Sequence, residues 1–337
     1  MNFNFKKKSF IFKHFKIFLT VFFSLVIFIE ILFQTLSFTD NSLIKKPILF
    51  FNPYCDQEYW DNNKKLDFNK NVYKYHPILS LIKNKHNIPT KENSNIIKKN
   101  KNDLPVFYGS SFVDHKNFVK SFSKVKNYAV KSYGLDQIYL SYTLTKHEHY
   151  GDLIVVGFLL EDLDRIIFKN RNYNKIKYKK VNNEFLLENY PVDLLKFEKK
   201  KINFYSYNFF KSLIFLFNND FDYKKSTCQI DFKKDFFQYF IEKIKKQIKL
   251  NNQKLIIVTF NFKEDIGSND NWRYEFINKI LKEQNILHVD TKKLIELDMM
   301  INNYPVNRYY SKQDLHYNEM GHEVVFRELT KFIELYR

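Results

Sequence analysis

The run Val106-Phe107-Tyr108-Gly109-Ser110-Ser111-Phe112-Val113 is apolar up to a glycine and then breaks into two serines. With Leu104 it predicts a buried strand over 106–108, and Val113 to Phe122 predicts a helix. Gly109 permits a sharp turn between them and leaves room beside the backbone. A hydroxyl at a strand-to-helix junction meets free backbone N–H groups and the positive end of the helix dipole, both favourable to an oxyanion. Ser111 is therefore the first candidate for a reactive group.

From Leu104 onward, short apolar runs alternate with longer helical ones, the pattern of an α/β fold with a mainly parallel sheet and helices on both faces. Strands are expected at 125–130, 152–158, 254–260 and 286–289. Of these, Asp152-Leu153-Ile154-Val155-Val156-Gly157-Phe158 is nearly all apolar and reads as central. Helices are expected at about 135–147, 232–250, 272–284 and 318–336. An insertion at about 165–227 breaks the rhythm, and within it 204–217 is strongly aromatic. A lid, a surface resting on the bilayer, or a helix packed on the sheet edge are the readings open for it, the last slightly favoured.

The N-terminal third has a different character. Residues 1–16 form a basic tail with Lys6, Lys7, Lys8, Lys13 and Lys16 and no acid. Residues 17–37 are apolar apart from Glu30 and Gln34, long enough for a transmembrane anchor. The preceding lysines place the N-terminus in the cytoplasm and the remainder outside the cytoplasmic membrane. No small-x-small site follows, so the anchor reads as uncleaved. Glu30, near the outer end, is expected to snorkel or stay protonated. Residues 38–103 read as a polar connector, lysine- and asparagine-rich from Ile82 to Asp103.

Composition excludes more than it identifies. The net charge of +18 is spread along 337 residues without a nucleic-acid-binding signature, so no nucleic-acid partner is expected. Cys55 and Cys228 fit no zinc motif; they are either a disulfide pair or two unrelated thiols. His147 and His149 flank Glu148, but no further ligands stand nearby, and neither metal nor organic cofactor is expected.

In open α/β sheets, sites form at the carboxyl ends of strands. Four segments lie there: 109–111, 132–134, 161–162 and 314–316. A serine hydroxyl is a weak nucleophile until a base takes its proton. His316 is the candidate base, and Asp314 the group that fixes its tautomer and offsets imidazolium charge.

In this order the segments resemble the SGNH (GDSL-type) hydrolase superfamily, particularly membrane-anchored members associated with polysaccharide modification; the resemblance covers 104–337. Tyr108 to Phe112 stands at the first block, with Ser110 in the aspartate place and Ser111 in the nucleophile place. Residues 127–137 are similar to the second block, whose oxyanion-binding glycine falls on Ser132, with Gly134 as the nearby alternative. Residues 155–165 resemble the third block, with Glu161 or Asp162 where the family has an asparagine. Asp314 to His322 resembles the last block, with Asp-x-His in place of the commoner Asp-x-x-His.

The resemblance implies a membrane-anchored serine esterase or O-acyltransferase acting on an acylated glycan, a lipid-linked sugar or a small ester. A carboxylate accepts hydrogen bonds and, when ionised, cannot donate them to an oxyanion. The alternative expectation is therefore an inactive, non-catalytic relative that binds glycan or an assembly partner.

Overall fold

A computed structural model of the chain describes residues 3–38, 70–91, 105–122, 125–171, 173–188, 190–193, 204–217, 228–268, 271–313 and 315–336. The chain divides into two compact units: residues 1–63 with 198–228, and residues 64–197 with 229–337.

The larger unit is built on five parallel strands: β3 (Val106–Gly109), β4 (Lys126–Asn127), β5 (Leu153–Leu159), β10 (Lys254–Phe260) and β11 (Leu287–Asp290), in the order β11-β10-β5-β3-β4. Numbered along the chain this is 2-1-3-4-5, the flavodoxin-like doubly wound order. Side chains alternate across the sheet as the period of two requires. Val155, Leu159, Ile256, Val258 and Phe260 join one core. To it α2 (Lys116–Ser121), α7 (Thr291–Asn302) and α8 (Glu319–Leu335) contribute Phe118, Ile295, Val325 and Leu329. On the opposite face, Tyr108 meets Tyr142 of α3 (Leu135–Thr145), ring centroids 5.6 Å apart. Phe158 meets Phe237 of α5 (Ile230–Leu250), which in turn meets Phe276 of α6 (Trp272–Glu283). Helices thus cover both faces, and β5 is an apolar run because neither of its faces reaches water. This is the three-layer α/β/α architecture expected from the sequence. Helix α7 was not anticipated; Asp290 caps it, its side chain accepting from the Lys293 N–H.

Part of the stretch read as a polar connector is folded. Strands β1 (Tyr73–His76) and β2 (Ser80–Lys83) pair as an antiparallel hairpin, and Leu79, Leu81, Ile82 and Ile88 are buried. The hairpin is held by polar contacts that no local periodicity reveals. Tyr133 Oη donates to the Leu81 carbonyl, Gln137 Nε2 to the Leu79 carbonyl at 2.9 Å, and His86 Nε2 lies 2.8 Å from the Asn127 carbonyl. Two further small hairpins, β6–β7 (Asn170–Arg171 with Tyr173–Asn174) and β8–β9 (Lys177–Val181 with Glu184–Glu188), begin the insertion.

In the smaller unit, α1 (Phe3–Phe38) contains the apolar span His14–Thr35, long enough to cross a membrane. Against it packs α4 (Tyr205–Phe217), with the Phe33 ring 4.6 Å from Phe209 and 5.7 Å from Phe210. The favoured sheet-edge reading of 204–217 is thereby replaced: its partner is the N-terminal helix. Glu30, expected to snorkel or stay protonated, accepts from the N–H groups of Tyr205 and Ser206 and from the Ser206 hydroxyl. Cys228 is disulfide-bonded. The sequence holds one other cysteine, Cys55, which lies outside the described residues.

Burial lowers His86 from the usual histidine value to about 4, outweighing its bond to the Asn127 carbonyl, which acts the other way. Between those two values the unfolded chain binds a proton that folded His86 refuses. Its neutral burial therefore favours folding at neutral pH, and that contribution is lost as pH falls from about 6.5 toward 4. Acidification from about pH 7 to about pH 4 is expected to cost the wild type about 3 kcal/mol more than His86→Asn, measured by urea unfolding in detergent micelles. Equal losses in the two chains would contradict this origin.

Candidate active site

In a doubly wound sheet the crevice opens where the strand order reverses, here between the carboxyl ends of β3 and β5. The two strands approach closely because both carry glycine there. A Cβ on Gly109 would meet the Gly157 carbonyl at 2.4 Å and Val113 Cγ2 at 2.6 Å, and one on Gly157 would meet the same Val113 methyl at 2.5 Å. Ser110 follows, fully buried, and Ser111 is half-buried at the crevice.

The helix after Ser111 is shorter than expected. Residues 111–114 form a turn closed by the Asp114 N–H on the Ser110 carbonyl at 3.0 Å, and His115 is extended, so α2 begins at Lys116. Six residues supply little dipole, and the donors near Ser111 are those of the turn. Asp114, expected in a helix first turn, instead receives Lys83 Nζ at 2.5 Å and Tyr73 Oη at 3.0 Å from the β1–β2 hairpin.

The 126–134 segment runs beside β3. Tyr128 and Val130 donate backbone N–H groups to the Phe107 and Gly109 carbonyls. The Asn127 side chain donates to the Val113 carbonyl at 3.1 Å and accepts from the Ala129 N–H at 2.9 Å, fastening this loop to the turn that follows Ser111. Ser132 is half-buried and has φ 68°, a left-handed conformation that suits glycine and costs other residues about 1–2 kcal/mol. Gly134 opens α3; a Cβ there would meet Asp136 Oδ1 at 2.6 Å and Arg165 Cβ at 2.9 Å.

Glu161 and Asp162 share the eight-residue 3₁₀ helix Leu160–Ile167 beyond β5. Their environments differ. Asp162 is fully buried, receives the Leu159 N–H at 2.9 Å, faces the Ser110 hydroxyl and pairs with the Arg165 guanidinium. Burial pushes its carboxyl up to about 6, opposed by Arg165, Ser110 and the Leu159 N–H. Arg165 also donates to the Tyr133 carbonyl at 3.0 Å, so this pair joins the loops after β4 and β5. Asp162 is thus engaged in holding the loops, and Glu161 is half-buried.

His316 comes from the other end of the sequence. Its segment is shaped by a bridge between Tyr310 and Tyr317, by the Ser311 N–H on the His316 carbonyl at 2.7 Å, and by Leu315 at φ 60°. Tyr317 anchors it through a hydroxyl contact with Thr291 at 2.7 Å, and Asn318 caps α8, accepting from Gly321 N–H at 3.1 Å. The half-buried His316 ring lies 4.7 Å, centroid to centroid, from that of Phe112, the residue after Ser111. Asp314 lies outside the described residues.

Two further imidazoles complete a column that sequence spacing did not disclose. His115 stacks on His316 at 5.4 Å and on His322 at 5.1 Å, each pair within 11° of parallel. His149, weighed with His147 as a metal ligand, is buried against Asp152 at 3.1 Å and Tyr128 Oη at 3.2 Å.

No family model and no curated protein matches the chain. Solved structures similar to it include a GDSL-like lipase from Bacteroides thetaiotaomicron (12% identity, 70% of this chain and 89% of that one, TM-score 0.38). An acetylxylan esterase from Geobacillus stearothermophilus follows at 11% identity, 70% and 96% coverage, and TM-score 0.39. A lipase/acylhydrolase from Enterococcus faecalis stands at 10%, 68% and 95%, and 0.34. Likeness at this level bears on no residue's role.

Arg165→Ala leaves the Asp162 carboxylate buried and unpaired, and is expected to destabilise the larger unit by about 3–5 kcal/mol at neutral pH. Below about pH 5 protonation of Asp162 removes the stranded charge and most of the difference from wild type. A urea midpoint unchanged at pH 7 would contradict the role given to this pair.

Proposed function

We propose that the chain is an SGNH-type serine esterase or acyltransferase, held at a membrane by α1. The observation that carries this reading is the contact of the Phe112 and His316 rings, which brings the residue after Ser111 beside an imidazole from the last block. In the reaction, the Ser111 hydroxyl gives its proton to His316 while its oxygen bonds to the ester carbonyl carbon. The tetrahedral oxyanion is met by the backbone N–H groups of Ser111 and of Ser132 or Gly134. Collapse breaks the ester C–O bond, and His316 returns the proton to the departing alcohol. Water or a sugar hydroxyl then takes the acyl group by the same steps in reverse, with Asp314 assigned to orient the imidazole.

The left-handed backbone at Ser132 supports its place at the glycine of the second block. By the resemblance, the substrate is an O-acyl group on a glycan or lipid-linked sugar, and no metal or organic cofactor takes part. The lysines before the span and the disulfide at Cys228 both favour a site outside the cytoplasmic membrane. A carboxylate, Glu161 or Asp162, at the family's asparagine position favours the second reading, a non-catalytic relative that binds glycan or an assembly partner.

The two readings separate on a short-chain aryl ester, assayed with the full chain in detergent. Ser111→Ala is expected to lower kcat/KM by about a thousandfold or more. Equal rates for wild type and variant would remove the serine mechanism.

A further inference from the structure

The insertion leaves the α/β unit after residue 197 and returns at 229, and between them it visits the N-terminal helix. Helix α4, Tyr-Ser-Tyr-Asn-Phe-Phe-Lys-Ser-Leu-Ile-Phe-Leu-Phe, carries one lysine and no acid. With 13 residues it is about 20 Å long, too short to cross the hydrocarbon core. Its N-terminus meets Glu30 and its fifth and sixth residues meet Phe33, so the two helices run in the same direction where they touch.

Glu30 lies five residues inside the outer end of the span His14–Thr35, about 8 Å below it. A carboxylate and two open helix N–H groups are each costly at that depth when alone. Here they satisfy one another: Glu30 Oε1 accepts from the Tyr205 N–H, and Oε2 accepts from the Ser206 N–H and hydroxyl at 3.0 and 2.6 Å. The carboxylate also meets the positive end of the α4 dipole. Tyr207, Phe210 and Ile214 recur at spacings of three and four and are each more than half exposed, as is Phe204 just before the helix. An aromatic, apolar stripe at the outer end of a membrane span matches the residue types of the membrane–water interface.

We infer that α4 is a second membrane element, seated in the lipid of the outer leaflet and clamped to the anchor by Glu30. The inference rests on reading His14–Thr35 as membrane-spanning. It gives the chain a second point of attachment to the bilayer besides α1.

The test uses the full chain in phosphatidylcholine vesicles containing a phosphatidylcholine with a photoactivatable diazirine on its acyl chain, with adducts mapped by peptide mass spectrometry. Adducts are expected both in 14–35 and in 204–217. In Glu30→Leu, which lengthens the apolar span, adducts in 204–217 should fall about tenfold while those in 14–35 persist. Adducts confined to 14–35 in the wild type would overturn the inference and leave the anchor intact. Adducts in neither segment would overturn both. Undiminished labelling of 204–217 in Glu30→Leu would overturn the clamp.

Discussion

A buried carboxylate behind the strand ends is the constraint on which the candidate site depends. Asp162 is out of water, and burial alone would neutralise it. It is held by the Arg165 guanidinium and the Leu159 N–H, and Arg165 reaches on to the Tyr133 carbonyl. The loops after β4 and β5 are thereby tied to each other. Such a pair is weak evidence for net stability, since an apolar replacement of the same volume is often tolerated. Its worth lies in geometry: it ties the Leu160–Ile167 stretch to the Tyr133 carbonyl.

Behind this layer a second set of buried charges ties the helices to the same edge. Asp164 receives Lys233 Nζ of α5 at 2.7 Å and the Arg273 guanidinium of α6 at 2.5 Å. Lys175, from the insertion, pairs with Asp136 in the first turn of α3. Each basic group comes from a different element, so the carboxylates act as joints between helices and the loops beside the crevice. In front, the β1–β2 hairpin closes over Asp114 and α3 through Lys83, Tyr73 and Gln137.

Much of this was legible in the residues. Lys254–Phe260 falls at the expected bounds, and β5 and α3, α5, α6 and α8 fall within a few residues of theirs, because parallel strands buried on both faces and amphipathic helices leave strong periodic signals. What escaped lacked periodicity. The β1–β2 hairpin has short strands in a lysine-rich stretch and is held by side chains such as Tyr133 and Gln137, more than fifty residues away. Helix α2 stops short because a turn claims 111–114, a local hydrogen-bond choice that composition does not record. Glu30 and 204–217 were each noticed, but their pairing spans about 175 residues of sequence and only the structure joins them. The assignment of Ser111, His316 and Asp314 to chemistry came from the order and spacing of motifs, and it stands as the proposal made above.

The central claim is that Ser111 is a nucleophile activated by His316. Its most direct measurement is reaction of the full chain in detergent with a fluorophosphonate, with the modified residue located by peptide mass spectrometry. The account predicts one adduct, on Ser111, absent from Ser111→Ala and strongly slowed in His316→Ala. An adduct on another serine, or a Ser111 adduct forming equally fast without His316, would contradict it.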